Sequence, residues 1–279
     1  MTMGCATITI DVDRDVNLPE HGRIEGISRA RDGDKAPRFE SAAKGLKLIV
    51  SVLNDLGIKG TFFIEAETAK KIAERMNIKE LLKPHEIACH GYRHEDLTGE
   101  QSGIKLSDEQ VSSILDDSVA TIKEVFNRKP VGFRAPYLHI DNRILAALAQ
   151  KGFMYDSSII KRLDRGEIYP YRIYGALIEA PIASGVDRAG KKIVSYLWPL
   201  HEGQRKVSDY EHFISRFSAG LFILATHSWH LIESYDSGLL PEEKIAENVS
   251  WLRSILKTAI DLGIEFCTVE EYLLGKAGD

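Results

Sequence analysis

The sequence predicts an α/β chain, a (β/α) barrel of seven or eight parallel strands. Three observations predict it. Short runs rich in β-branched and aromatic residues alternate along the chain with longer stretches of helical periodicity. The strand-like runs number seven or eight, enough for a barrel. No Gly-x-Gly-x-x-Gly follows the first strand and no Gly-x-x-x-x-Gly-Lys-Ser/Thr occurs, so an open nucleotide-binding sheet lacks its main support.

The run CATITIDV (5–12) is rich in Ile and Thr and reads as the first strand. The stretch 39–58 carries apolar residues at helical spacing and ends near Gly57. GTFFI (60–64) is a strand, 66–76 a helix and HEIAC (85–89) a strand. Ser107 is placed to cap a helix running to 126. Strands at 131–136 and 154–158 flank a helix at 142–152. Further strands are expected at 176–182, 221–228 and 265–269, with a long helix over 242–263. The repeated strand–helix unit makes the barrel TIM-like. No linker-like stretch interrupts it, so one domain is expected over 1–279.

Of the 279 residues 44% are hydrophobic and 28% charged, an ordinary globular composition. The formal net charge of −5 argues against nucleic acid as the main partner. Arg23, Arg29, Arg31 and Lys35 are interleaved with Glu25, Asp32 and Asp34, which reads as a solvated loop within the charged stretch 14–38. Cys5, Cys89 and Cys267 form neither a metal knuckle nor a disulfide framework, which fits a reducing compartment. The opening MTMGCATITIDVD has no long apolar segment, and no stretch of the chain has the length and apolarity of a membrane span. A cytoplasmic location and no membrane partner are the expectations.

In a parallel barrel the active site lies at the C-terminal ends of the strands. Those ends carry Asp11 and Asp13, then His90 and His94, then Arg134, Pro136 and Tyr137, then Asp156, and last His227 with His230 just beyond. Asp11 and Asp13 share one face, because side chains on a strand alternate with a period of two. Two carboxylates so close repel unless a cation intervenes. His90 and His94, at i and i+4 on one face of a helical turn, supply the further ligands of a hydrolytic metal site. One of the two carboxylates is then a ligand and the other a free base. The bland alternatives are a loop-capping Asp11, an Asp13 within a surface charge run, an Arg134 paired with a structural carboxylate and a hydrogen-bonded strand-end His227. His21, His85, His201 and His212 have no such company and read as structural.

These motifs together resemble the NodB-homology polysaccharide deacetylases, carbohydrate esterase family 4, in the branch with intracellular peptidoglycan-deacetylase-like and allantoinase-like proteins. ITIDVD resembles the first motif, with Asp11 matching the base and Asp13 the metal ligand. HGYRH matches the second, with the ligands His90 and His94. FRAPY matches the third, in which Arg134 steadies the base and the Tyr137 N–H joins the oxyanion site. GFMYDSS resembles the fourth and maps Asp156 onto the carboxylate that tunes the acid. LATHSWH resembles the fifth and maps His227 onto the general acid, with His230 as a rival. The likeness covers roughly 6–272. Three departures stand out: Asp-Val-Asp replaces adjacent aspartates, Ser157 and Ser158 stand where many members have tryptophan, and the fifth motif has two histidines.

The resemblance implies a distorted (β/α) barrel and hydrolysis of a carbon–nitrogen bond with a divalent metal, zinc first and cobalt, nickel or iron as alternatives. The expected partner is an N-acetylated sugar or other small amide, with Tyr137, Tyr155, Trp198 and Trp229 as candidate stacking residues. Ureide hydrolysis and a catalytically silent carbohydrate-binding barrel are the competing readings. Homo-oligomerisation is compatible with the sequence.

Overall fold

Strand β1 (Cys5–Val12) is buried at every position and pairs in parallel with a strand on each side. The structure, a computed structural model, describes residues 4–275, so both ends of the domain expected over 1–279 lie outside the described residues. From β1 the parallel pairings run through β2 (Gly60–Ile64), β3 (Glu86–Cys89) and β4 (Gly132–Phe133) to β5. β5 comes in two pieces, Tyr155–Asp156 and Ile160–Arg162. The first piece pairs with β4 and the second with β6 (Ile182–Val186). β6 pairs with β7 (Ala219–His227), which returns to β1. The bent β5 therefore closes a ring of seven parallel members, and the bend is what distorts the barrel.

The run expected as one strand over 176–182 is two. Leu177–Glu179 pairs with the first piece of β5, whereas β6 lies beyond Pro181 and pairs elsewhere. Proline has no N–H for a ladder, which favours a break at this point. The strands expected at 131–136 and 265–269 are also shorter, as Gly132–Phe133 and Glu265–Phe266.

Alternation along the staves sorts side chains into two layers. Ile8, Ile10 and Val12 of β1, Phe62 and Ile64 of β2 and Phe222 and Leu224 of β7 join the large cluster under the helices. Cys5, Phe63, Ala88, Tyr155, Ile223 and Ala225 form a second cluster inside the ring. Thr9 and Asp11 share the inner parity of β1.

The helices supply the outer wall. α1 (Glu40–Leu56) buries Ala42, Leu46, Ile49, Val50 and Leu53, the spacing of one helical face, and ends at Gly57 with φ of 67°. α2 (Ala66–Ala73) follows β2. α3 (Asp108–Phe126) begins with a capping box, Ser107 Oγ accepting from Gln110 N at 3.2 Å and Gln110 Oε1 from Ser107 N at 2.8 Å. α4 (Asn142–Gln150) and α5 (Glu242–Asp261) lie inside the expected helical ranges. None of the described helices is long and apolar enough to cross a membrane.

The charged stretch 14–38 is only partly a solvated loop. Arg23, Asp32, Asp34 and Lys35 are exposed, but Asn17–Glu20 and Arg23–Ser28 pair as an antiparallel hairpin. Arg14 and Asp15 are buried, which corrects the surface-run alternative for Asp13. Arg14 donates to Glu65 and Glu67. Asp15 accepts from Ser41 N at 3.0 Å and Ala42 N at 2.7 Å, satisfying the first amides of α1, whose own N-cap, Phe39, has no side-chain oxygen.

Candidate metal and active site

The backbone delivers the polar residues to one end of the ring. In the β1–β7 ladder Asp11 lies directly opposite His227. The parallel hydrogen bonding continues one residue past the strands: His90 N donates to Ile64 O at 2.8 Å and Arg134 N to Cys89 O at 2.9 Å. Both side chains thus start from tethered backbone.

Asp13, His90 and His94 each offer a ligand atom, and these atoms lie within 4.8 Å of one another. All three residues are buried. His94 Nε2 is 3.3 Å from Asp13 Oδ2. His90 Nδ1 is 2.8 Å from Arg134 O, a bond that assigns the proton to Nδ1 and leaves Nε2 free as a ligand. The two histidines do not stand on a helical turn as their spacing suggests. They lie on a loop with left-handed backbone at Gly91 (φ 77°) and His94 (φ 56°). Glu95 folds that loop by accepting from Tyr92 N at 3.0 Å and Arg93 N at 2.8 Å.

Asp13 Oδ1 and His94 Nδ1 are buried with no hydrogen-bond partner among the described residues. Burial raises the Asp13 carboxyl to about 7, with the charges of Asp11 and Glu65 adding to it against the imidazoles of His227 and His90. A buried orphan carboxylate oxygen beside two imidazoles fits a divalent cation, which would satisfy the oxygen and remove the repulsion.

Asp11 is in the opposite state. Burial alone would raise it, but Arg134, then His90 and His227, and a hydrogen bond from Tyr196 hold it at about 2. Arg134 Nη1 is 2.8 Å from Asp11 Oδ1 and 2.9 Å from Thr9 Oγ1. Its Nε and Nη2 donate to Ser157 O and Oγ, both at 3.0 Å, and its guanidinium lies 4.1 Å from the Phe63 ring centre. The side chain is fully buried and held on every edge.

Asp156 is not brought to His227. Tyr155 and Ser157 face the ring interior, so the pleat turns Asp156 outward, where its carboxylate accepts from Ser158 Oγ at 2.7 Å and N at 3.1 Å. Its other partner is Glu179. Burial together with the neighbouring carboxyl keeps Glu179 well above the ordinary carboxylate range, and burial raises Asp156 as well. No hydrogen bond joins Asp156 to His227, and His227 Nδ1 has no partner among the described residues. Burial lowers His227 to about 4 despite Asp13 and Asp11, so it is neutral near pH 7 rather than held protonated.

Two residues that the motifs do not contain complete the site. Tyr196, just past the short strand Lys192–Val194, donates to Asp11 Oδ2 and lies 3.2 Å from His227 Nε2. Asn17 of the hairpin donates to Asp13 Oδ2 at 2.5 Å. His230 turns away from the site to Glu202, 2.7 Å distant, beside His201.

Asp11, His90, His94 and His227 open on a cavity of about 370 Å³. Tyr137, Tyr196, Trp198 and Tyr235 also line it. Tyr137 has a left-handed backbone (φ 58°), and its ring packs edge-on to His94 at 4.5 Å. Of the expected stacking residues, Tyr155 is instead a core residue donating to Glu86 at 2.6 Å, and Trp229 is wholly buried. Trp198 is 38% exposed on the rim.

Residues 34–155 match the family model for polysaccharide deacetylase. That segment holds His90, His94, Arg134 and Tyr137, while Asp11, Asp13 and His227 lie outside it. Over 118 residues, 41% of this chain, the sequence is 34% identical to a peptidoglycan deacetylase-like protein of Gibberella zeae. The segment 34–155, less than half of the chain, resembles a NodB-homology polysaccharide deacetylase domain. The fold agrees with carbohydrate esterase family 4. A Mycobacterium smegmatis protein described as a polysaccharide deacetylase superposes with a TM-score of 0.59 at 21% identity, over 92% of this chain and 84% of that one. A Bacillus anthracis pseudoenzyme of the family gives 0.56 at 13% identity, over 98% of this chain and 66% of that one. The chain spans only 32%, 22% and 37% of the lengths of three curated relatives that it matches.

Proposed function

We propose that this protein hydrolyses a carbon–nitrogen bond with the help of a divalent metal, removing the acetyl group from an N-acetylated amino sugar. The observation that carries the reading is the pairing of two unlike carboxylates. Asp13 has an orphan oxygen within a three-ligand cluster, and beside it Asp11 is ion-paired and ionised. That is the division between ligand and base that the chemistry requires.

Asp13, His90 and His94 would hold the metal, with zinc the first choice for this ligand set. When bound, it supplies Lewis acidity that lowers the pKa of a water toward neutrality. Asp11, ionised beside Arg134, accepts the proton of the water that attacks the acyl carbon. The Tyr137 N–H donates to the oxyanion, a contribution of roughly 3 kcal/mol for one such donor. The amine leaves only once protonated, and His227 faces the same cavity to deliver that proton. Because burial keeps His227 neutral, its proton has to be supplied within the turnover. Tyr196, whose hydroxyl touches both Asp11 and His227, passes it from the base to the acid. Water adds across the amide, and the products are acetate and a free amine.

The test is acetate release by the purified, metal-loaded protein from N-acetylglucosamine, short chito-oligosaccharides and nucleotide-linked sugars. Asp11→Ala serves as the control. Release that disappears in the control establishes the deacetylase. Absence of release from protein shown to contain metal would defeat that reading and direct the search to ureides and other amides.

A further inference from the structure

We propose that the substrate of this site carries an anionic group, seated in a lysine-lined groove that continues from the active-site cavity. The inference rests on the deacetylase reading for its acyl sugar and on the groove for its charge.

The groove has a volume of about 690 Å³ and shares Leu138, Tyr196 and Trp198 with the cavity. Together the two spaces are larger than one acetylated monosaccharide needs, and each lies in or near the size range of ordinary ligand sites. Trp198 stands exposed at their junction, a flat face on which a sugar ring can stack while its acetyl group enters the cavity.

Positive charge is in excess in the groove. Lys191, Lys192 and Lys206 line it, all are exposed, and none has a carboxylate within ion-pairing distance among the described residues. The other charged groups there are already engaged. Arg205 binds the Asp187 carboxylate and the Lys192 carbonyl. Asp187 also accepts from Ala189 N and Lys191 N, both within 2.9 Å. Asp209 Oδ2 accepts from Lys206 N at 3.0 Å. Arg205 offsets Asp187, and the one remaining carboxylate, Asp209, stands against three ammonium groups, so the groove keeps an excess of two positive charges.

This is not the background of a basic protein, since the chain as a whole carries −5. Three like charges around one concavity repel each other, and a bound anion relieves that repulsion. A neutral chito-oligosaccharide would leave that excess uncompensated. Lysine meets an anion as a point charge, so the groove accepts a phosphate, a nucleoside diphosphate or a carboxylate on the sugar.

The experiment compares wild type with the triple variant Lys191→Gln/Lys192→Gln/Lys206→Gln. Acetate release is measured on N-acetylglucosamine, N-acetylglucosamine 1-phosphate and N-acetylmuramic acid. Binding of glucosamine and glucosamine 1-phosphate is measured by calorimetry at two salt concentrations. In the triple variant KM and Kd rise about tenfold for the phosphorylated compounds, the sum of three exposed charge interactions, and stay put for the neutral ones. The 1-phosphate and muramic acid arms decide whether phosphate or carboxylate is the preferred anion. Equal binding of glucosamine 1-phosphate by wild type and variant would overturn the groove. Lysine-dependent binding without acetate release from any substrate would overturn the deacetylase reading and leave the groove standing.

Discussion

The Tyr196 hydroxyl lies 3.2 Å from His227 Nε2 while donating to Asp11 Oδ2 on its other side. One phenol thus joins the group that would take a proton to the group that would give one. Tyr196→Phe keeps the ring and its packing and removes only the link. The expected result is a fall in kcat of about a hundredfold, the lower end for a positioned proton-transfer group, with KM nearly unchanged. Tyr196 is buried, so thermal unfolding must be measured alongside. A variant with wild-type kcat would end the relay.

The metal site makes a prediction about pH. Metal binding requires the ionised Asp13 carboxylate, whose value in the metal-free protein is raised to about 7 by burial. Protons therefore compete below that value, and zinc affinity falls by about tenfold for each pH unit below 7. Elemental analysis after dialysis, and the gain in melting temperature on adding zinc, both read this. Asp13→Asn removes the metal but also removes a buried charge. A carboxyl whose folded value is raised costs the metal-free fold stability above that value, and the cost fades as pH falls through 7 toward 4. Metal-free Asp13→Asn then melts higher than the metal-free parent at pH 8, by about 2–4 °C for each kcal/mol recovered, and no higher at pH 4. The same melting temperature at pH 8 would contradict the raised carboxyl.

Arg134 is the cation that keeps Asp11 charged inside the ring. Arg134→Met leaves that carboxylate buried without its partner and breaks the bonds to Ser157 and Thr9. The expected loss of stability at pH 7 is about 3–5 kcal/mol. A carboxyl with a depressed folded value contributes its stability above the unfolded value near 4, and that contribution is lost as pH falls through about 2. The gap between parent and variant in denaturant unfolding therefore narrows below pH 4. A constant gap across that window would assign the role of Arg134 to packing alone.

The parts of the site at strand ends were legible because a parallel barrel fixes where strand ends go. Asp11, Asp13, His90, Arg134 and His227 needed only that rule. The orientation of Asp156 was not foreseen: the motif placed it beside His227, and only the inward-facing Tyr155 shows that its carboxylate turns away. The form of the HGYRH loop was not legible either, because spacing at i and i+4 suits a helical turn and the left-handed His94 depends on Glu95 and the hairpin packed over it. Asn17 and Tyr196 left no trace in the pattern. Asn17 sits in a stretch whose charges suggest solvent, and Tyr196 follows a three-residue strand too short to show a period. Both reach the site through contacts distant in sequence.

Gly45 in α1 sets how closely that helix approaches the end of β7. A Cβ built there falls 1.8 Å from Ser228 O, one residue beyond His227. The contact is with backbone, so a longer side chain cannot be absorbed by a rotamer change. Gly45→Ala forces the helix and the His227–Ser228 segment apart, and Ser228 N, which donates to Asp11 O at 3.0 Å, moves with it. Alanine is the better helix former by about 1 kcal/mol, so a stabilising change is the outcome that helix propensity alone predicts. Overpacking of this kind costs about 1–3 kcal/mol and outweighs the propensity gain. Gly45→Ala is expected to lower the melting temperature and reduce kcat together, because the displaced residues belong to the proposed acid and base. Gly57→Ala serves as the comparison: its φ of 67° is also unfavourable to alanine, but no atom lies within 4 Å of its Cβ position, so it should cost stability without touching kcat. A Gly45→Ala protein that melts higher than the parent and keeps its kcat would show that the helix can yield here without cost.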